Sequence, residues 1–268
     1  MNAAPLVPAT YGRTVDGDLA ALVDDTAYAA IPGRSGLRVA NRWRLRKPMS
    51  EWRRDDFHGA IAVVADALGF NNLIAELVRH REELLRLDRK RGNGKVATPW
   101  GKSQSSEIYA DGVVFHSTAS HGGIKLDRAH NARMPAAIRV AGSWYEEDAE
   151  WAKVATGFPD LFTAYERRHA EKTLRDYYPN CWEAIHGRFL APGESVENDR
   201  RLFGDNHRHD WVVVSAIRSN EHPEMTDCIA RLGGRRDHGD ERRFLVPSDE
   251  YVAARFGFVI DEARHLEV

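Results

Sequence analysis

Two histidines and a nearby acidic run are the side chains in this sequence whose types and spacing best suit acid–base chemistry. His116 and His121 lie in the segment FHSTASHGG, and Glu147 and Asp148 lie further on in GSWYEEDAEW. A carboxylate beside an imidazole orients the ring and stabilises its protonated form, so such a pair can act as a general base. One hypothesis is therefore an enzyme, hydrolytic in type, with His121, Glu147 and Asp148 as its catalytic residues.

The same segments also fit a purely structural interpretation. The pair Gly122-Gly123, after a run of hydroxyl side chains, predicts the tight turn of a β-hairpin with His116 on one strand. Ser143 and Glu146 have the spacing of a capping box, which predicts a helix that begins at Ser143. If that helix packs on the hairpin, the acids of its first turn approach the second histidine without any catalytic purpose. The sequence favours this structural interpretation.

Motifs that bind cofactors or metals are absent from the sequence. It has no glycine-rich nucleotide loop, no HExxH, no paired cysteine–histidine pattern and no GxSxG nucleophile elbow. Asp205, His207 and His209 would share one face of an extended segment, but an ordinary polar loop before a strand explains them. We therefore predict neither a metal site nor a cofactor.

An arginine-rich strand is the best candidate for a binding surface. In LRVANRWRL, apolar side chains alternate with basic ones, and the basic face holds Arg38, Arg42 and Arg44, with Arg46 just beyond. Guanidinium groups bind phosphates through paired hydrogen bonds, so this face predicts weak contact with nucleic acid. The alternative is a solvated face, or one whose charges pair with acidic residues elsewhere in the chain. Trp43 falls on the apolar face and is expected in the core.

Composition limits the class of protein. With 268 residues, 43% of them hydrophobic and 29% charged, the chain can bury a substantial core. It lacks an apolar run long enough to span a bilayer, and its first residues do not resemble a signal peptide. Two cysteines, Cys181 and Cys228, are too few for a disulfide framework. We expect a cytoplasmic protein that does not associate with membranes.

The order of predicted elements indicates an α+β fold. An N-terminal helical region surrounds the arginine strand, with helices over residues 19–29, 53–68 and 72–91. A central β-hairpin follows, and after it come helices near residues 144–156, 160–174 and 179–187. A C-terminal antiparallel sheet is predicted from WVVVSAI, CIARL, RRFLV and GFVI. The predicted domain boundaries give three segments, which can pack as one body: residues 1–94, 95–190 and 191–268.

Several segments taken together resemble a known family. The sequences TPWG, SHGG and YEED, at residues 98–101, 120–123 and 145–148, are the most specific of them. They are similar to those of uncharacterised alphaproteobacterial proteins that carry domain of unknown function 7007. The resemblance implies a cytoplasmic protein encoded on plasmids or integrative elements, and it brings no reaction, cofactor or catalytic residue. We therefore expect an accessory or regulatory protein of a mobile element, whose partner is nucleic acid or another protein of that element. The sequence leaves the oligomeric state open.

Overall fold

The structure, a computed structural model, describes residues 7–235 and 240–268 and has an α+β fold with antiparallel sheets. The chain divides into two compact units, Met1–Leu174 and Arg175–Val268. The division into three segments stays a prediction. Within the described residues, no helix is long and apolar enough to cross a membrane.

The first unit begins with a five-stranded antiparallel meander and a long helix. These elements are β1 (Ala9–Arg13), β2 (Leu19–Val23), β3 (Thr26–Gly33), β4 (Gly36–Trp43), β5 (His58–Val64) and α1 (Ala67–Leu87). In the middle of the sheet, other parts of the chain pack against both of its faces. Helix α1 packs on one face through Phe70, Ile74 and Leu77, while Trp52 and Phe57 cover the other face.

The prediction of a helical N-terminal region is wrong, because most of that region is β-sheet. The alanine-rich segment 19–29 forms two strands joined at Asp24, whose φ of 53° reverses the chain. Alanines suit these strands because both faces of the sheet are packed and larger side chains would not fit. The segment predicted as a helix over 53–68 contains β5 instead, and α1 begins only at Ala67, where the Asp66 side chain accepts a hydrogen bond from the Gly69 amide at 2.8 Å.

A second antiparallel sheet occupies the middle of the chain. Its strands are β6 (Lys90–Gly92), β9 (Ser105–Ala110), β10 (Val113–Ser117), β11 (Gly122–Leu126) and β12 (Trp144–Glu146), and their order in the sheet is β12-β11-β10-β9-β6. A separate two-stranded hairpin consists of β7 (Ala97–Thr98) and β8 (Gly101–Lys102). The helices of this region are α2 (Arg128–Arg133), α3 (Trp151–Gly157) and α4 (Ala164–Tyr177), and the boundary between the two units falls within α4.

The second unit contains helices followed by a four-stranded antiparallel sheet. Its elements are α5 (Pro179–His186), α6 (Val196–Asn206), β13 (Trp211–Arg218), β14 (Met225–Leu232), β15 (Glu241–Pro247) and β16 (Leu266–Glu267). Three of the four predicted C-terminal strands overlap β13, β14 and β15. In the part of this unit that the structure describes, the fourth segment, GFVI, contributes a single bridge, between Val259 and Val212.

Candidate functional site

The hairpin that carries both histidines consists of β10 and β11, and His116 lies opposite Gly123 in it. The chain reverses between Thr118 and His121, where the Thr118 amide donates a hydrogen bond to the His121 carbonyl at 2.7 Å. The Thr118 hydroxyl donates to the same carbonyl at 2.6 Å and accepts a hydrogen bond from the His121 amide at 3.2 Å. The turn was predicted at Gly122-Gly123, but it lies between the two histidines. Because His121 and Gly123 are two residues apart, the reversal brings both imidazoles to the same face of the sheet.

The glycine pair serves close packing rather than chain reversal. Both glycines lie inside β11, where a Cβ atom on Gly123 would overlap the indole ring of Trp100. A Cβ atom on Gly122 would come within 2.8 Å of the His116 carbonyl oxygen. The strand therefore requires glycine at both positions so that neighbouring groups can approach its backbone.

The segment predicted to start a helix at Ser143 forms a strand instead. β12 pairs with β11, and Ser143, just before it, has a φ of 56° rather than the extended backbone of a helix N-cap. The pairing of backbone groups in the sheet outweighs the local capping signal. Helix α3 begins later, at Trp151. The Glu146 carboxylate accepts hydrogen bonds from the amides of Asp148 at 2.8 Å and Ala149 at 3.4 Å, so it organises the turn between strand and helix.

Because residues 144–146 form a strand rather than the predicted helix, a different acidic side chain lies close to His121. Side chains alternate along a strand, so Glu146 faces the histidines and Glu147 lies on the opposite side, against Gly122. Glu146 Oε1 lies 3.9 Å from His121 Nδ1. The possible ligand atoms of His121, Glu146 and Asp148 all lie within 4.8 Å of one another. Of the predicted catalytic residues, His121 and Asp148 therefore come together, while Glu147 does not join them.

Sequence reasoning considered Glu146 with Glu147 and Asp148 as a possible base or metal ligand, and set it aside because the capping box gave it a structural role. A signal for the alternative was present in the alternation of Trp144, Tyr145 and Glu146. Tyr145 is buried on the face opposite Glu146, where its hydroxyl donates a hydrogen bond to Asn131 Oδ1 at 2.7 Å. An aromatic residue that is buried between two partly exposed ones is typical of a strand with one covered face.

His116 is a buried neighbour of the cluster formed by His121, Glu146 and Asp148. It is only 6% exposed, and its ring centre lies 5.5 Å from that of Trp144. Burial lowers the pKa of His116, because the charged imidazolium would lose its hydration. Its Nδ1 atom has no hydrogen-bond partner among the described residues. These properties make His116 a neutral core residue rather than a second surface base.

The residues considered for a metal in the segment GDNHRHD do not converge. Asp205 lies within α6, which ends just before His207. His207 Nδ1 lies 2.7 Å from Asp210 Oδ2, so it has a carboxylate partner of its own. Among the described residues, the cluster of His121, Glu146 and Asp148 is the one grouping of three such side chains close enough to share an ion.

The arginine-rich segment is a strand only up to Trp43. Arg38 and Arg42 lie on β4, and their side chains are on the same face of the sheet as Trp52 and Phe57. Arg44 and Arg46 lie beyond the end of the strand. The expectation that Trp43 is in the core is wrong, because its side chain is 61% exposed. Trp43 forms the last pair of the β3–β4 ladder, opposite Thr26, and it is not part of either hydrophobic cluster of the sheet.

Trp43 is nevertheless held in a fixed position. Its indole Nε1 donates a hydrogen bond to Asp25 Oδ2 at 2.6 Å, and the guanidinium carbon of Arg44 lies 4.3 Å from the indole ring centre. Desolvation opposes the charged form of Asp25. The hydrogen bonds from Trp43 and Arg44 outweigh that effect and hold the pKa of this carboxyl below its ordinary value. The result is an exposed indole that is braced by a carboxylate and stacked with a guanidinium.

Carboxylates from neighbouring segments neutralise part of the positive charge. Arg54 forms two hydrogen bonds with Asp18, at 2.7 and 2.9 Å, and Lys47 lies 2.7 Å from Asp56. In the part of the chain that the structure describes, neither Arg42 nor Arg46 forms a salt bridge within 4.0 Å. The alternative of charge pairing therefore applies to some of these cations, while Arg42 and Arg46 stay exposed to solvent. Arg42 and Trp43 are consecutive residues of β4, so their side chains leave the end of this strand on opposite faces.

Comparison with known proteins gives one match. A family model described as a domain of unknown function (DUF7007) matches residues 93–208, a region that includes the cluster of His121, Glu146 and Asp148 but not the arginine segment. Comparisons with curated proteins and with solved structures give no significant match. Residues 93–208 of this chain therefore carry the domain of unknown function DUF7007.

Proposed function

We propose that this protein is an accessory factor that binds single-stranded nucleic acid at the exposed end of β4, where Trp43 and Arg44 are in contact and Arg42 and Arg46 add positive charge. The observation that carries the proposal is the exposed indole of Trp43, held between Asp25 and the Arg44 guanidinium. Proteins that bind single strands combine aromatic rings, on which bases stack, with cationic side chains along the backbone path. The end of β4 and the residues just after it offer both an exposed ring and exposed arginines.

The charge of the whole chain limits the strength of such binding. The formal net charge is −2, so any attraction to phosphates must come from a local patch rather than from the protein as a whole. Arg42 and Arg46 supply this patch, because no acidic side chain lies within salt-bridge distance of them among the described residues. We therefore propose weak binding that decreases steeply as salt concentration rises. The role in a plasmid or integrative element is part of this proposal and derives from the family resemblance.

The direct test is fluorescence anisotropy of labelled single-stranded DNA and RNA, titrated with the full chain at low and at moderate salt. We expect binding at low salt that weakens as salt increases. Trp43→Ala should weaken binding by roughly tenfold, since the stacking of one base on an aromatic ring contributes about 1–3 kcal/mol. Trp43→Phe should retain most of the affinity, because phenylalanine also offers a flat ring. The double variant Arg42→Ala/Arg46→Ala should reduce the dependence on salt.

Two matched controls separate this surface from general effects. Phe189→Ala removes another exposed aromatic side chain, and Arg218→Ala removes another exposed cation; both lie in the second unit. Neither should change the affinity. The proposal fails if the folded protein produces no change in anisotropy at low salt, or if the controls weaken binding as much as the substitutions at Trp43 and Arg42.

A second candidate function, hydrolysis, is favoured by the proximity of His121, Glu146 and Asp148. In this proposal His121, which is about half exposed, takes a proton from a water molecule that attacks the ester, and returns it to the leaving oxygen as the ester bond breaks. The carboxylate of Glu146 is fixed by two backbone amides and stabilises the imidazolium that forms. Asp148 provides a second negative charge within 4.8 Å of the ring.

The test of this second function is a set of chromogenic phosphate and carboxylate esters. We expect His121→Asn and Asp148→Asn each to lower any hydrolysis by a hundredfold or more, with the protein still folded. Glu147→Gln is the control, since Glu147 lies on the other side of the strand. Hydrolysis that survives His121→Asn, or that is absent for all these esters, rules out this role for the cluster.

A further inference from the structure

We propose that His121, Glu146 and Asp148 form a binding site for a divalent transition-metal ion such as Zn²⁺ or Mn²⁺. One ligand comes from the turn before β11, one from the end of β12 and one from the turn that follows. The three possible ligand atoms lie within 4.8 Å of one another, so small rotations of two exposed side chains would bring them to coordination distance. The proposal goes beyond the second candidate function but rests on the same three side chains. It gives His121 a different role, because an imidazole nitrogen that ligates an ion is not free to accept a proton.

The orientation of Glu146 is the observation that points to a cation. Glu146 Oε2 accepts the amide hydrogen bonds of Asp148 and Ala149, which fixes the plane of the carboxylate. Oε1 is shielded from solvent and has no hydrogen-bond partner among the described residues, yet this is the oxygen 3.9 Å from His121 Nδ1. A buried carboxylate oxygen without a donor is unfavourable, and a bound cation would satisfy it.

Hydrogen bonds hold the backbone on both sides of the site. The Thr118 hydroxyl and amide close the turn that ends at His121, so the imidazole leaves the backbone from a defined position. On the facing strand, the Glu147 amide donates to the Gly122 carbonyl at 3.0 Å, which fixes β12 to β11 directly beside the turn. Ligands at or next to the ends of two paired strands need little backbone reorganisation when an ion binds.

The types of ligand select the class of metal. One imidazole nitrogen with two carboxylate oxygens suits Zn²⁺, Mn²⁺ or Fe²⁺, whereas Mg²⁺ and Ca²⁺ prefer sites made of oxygen ligands alone. Three protein ligands would leave coordination positions for water or a substrate, as in metal sites that carry out catalysis. The exposure of His121 and Asp148 gives an ion a direct path from solvent.

The test is isothermal titration calorimetry of the full chain, prepared without a polyhistidine tag and treated with a chelator that is then removed. Zn²⁺, Mn²⁺ and Mg²⁺ are titrated separately. We expect one Zn²⁺ or Mn²⁺ ion per chain and much weaker binding of Mg²⁺. His121→Ala and Asp148→Asn should each weaken the binding of Zn²⁺ or Mn²⁺ at least tenfold.

Matched variants locate the ion. Glu147→Gln changes the neighbouring acid on the opposite side of the strand, and His207→Asn changes a histidine that already has Asp210 as its partner. Both should bind the metal as tightly as the unsubstituted protein. Circular dichroism without metal checks that each variant is folded.

The absence of measurable binding overturns the proposal. So does binding that survives both His121→Ala and Asp148→Asn, because the ion then lies elsewhere. Calorimetry does not depend on catalysis, so metal binding without hydrolysis contradicts only the second candidate function. Hydrolysis without metal binding contradicts only the metal site.

Discussion

The Nδ1 atom of His121 lies 3.9 Å from Oε1 of Glu146, so the two residues are close without forming a hydrogen bond. Since no hydrogen bond is lost, we expect His121→Asn to change the free energy of unfolding by less than about 0.5 kcal/mol. Thr118→Ala should cost about 1–2 kcal/mol, because the Thr118 hydroxyl makes two hydrogen bonds in the turn. Urea denaturation measures both. A loss above 1 kcal/mol for His121→Asn would show that His121 braces the hairpin.

A second prediction concerns Arg89, whose side chain is almost fully buried in the first unit. It donates hydrogen bonds to both carboxylate oxygens of Glu166, at 2.9 and 2.8 Å, and to the Leu161 carbonyl at 2.8 Å. Its guanidinium carbon lies 3.9 Å from the ring centre of Tyr109. Burial raises the pKa of Tyr109 to about 12, so this ring stays neutral.

We therefore expect Arg89→Ala to lower the free energy of unfolding by about 3 kcal/mol, because Glu166 would lose its buried partner. Arg86→Ala is the matched control. Arg86 is an exposed arginine near the end of α1, 4.0 Å from Glu82, and its removal should cost less than about 0.5 kcal/mol. Equal effects of the two substitutions in thermal or urea denaturation would contradict this account.

Sequence reasoning located best the elements whose hydrophobic pattern matches the burial of their side chains in the folded protein. β4 alternates between the two faces of its sheet, and α1 carries an apolar stripe that packs on that sheet. Ser143 and Glu146 show the opposite case, since a correct local capping signal lost to strand pairing that depends on residues far away in sequence. Trp43 shows a third case. The alternation of apolar and polar residues assigns Trp43 to one face of the sheet, but it does not show where along the strand helix α1 stops covering that face.

The candidate site was predictable only in part, for the same reason. His121 and Asp148 stood out by residue type, whereas the choice between Glu146 and Glu147 depended on whether residues 144–146 form a helix or a strand. The positions of the glycine pair also depended on a distant contact, since Trp100 packs against Gly123 from the separate β7–β8 hairpin. Spacing alone does not reveal such contacts.

A third prediction follows from that contact. Gly123→Ala would place a methyl group in the space that the Trp100 ring occupies, so we expect a loss of about 1–3 kcal/mol in the free energy of unfolding. Displacement of Trp100 should also shift the tryptophan fluorescence spectrum, because the indole would gain exposure to water. Gly142→Ala is the control: no atom of another described residue, apart from its chain neighbours, lies within 4 Å of the added methyl group, and stability should be nearly unchanged. If Gly123→Ala is as stable as the control, the ring does not pack there.

The last prediction concerns pH and the buried His116. Burial lowers the pKa of His116 in the folded state, and it also lowers the pKa values of His80 and His169. The unfolded chain titrates near the ordinary histidine value of about 6.5, so below that pH it binds more protons than the folded protein. The free energy of unfolding should therefore decrease as pH falls below about 6.5, by up to 1.4 kcal/mol per pH unit for each such histidine.

The variant His116→Gln should reduce this dependence on pH, since one of the three histidines no longer titrates. Ser106→Ala is the control, because Ser106 lies opposite His116 on β9 and does not titrate. The overall stability of the Ser106→Ala variant can differ from that of the unsubstituted protein, but the dependence of its stability on pH should be the same. Urea denaturation at a series of pH values between 5 and 8 measures the slopes. A slope for His116→Gln equal to that of the unsubstituted protein would mean that His116 is already protonated in the fold or remains accessible to water.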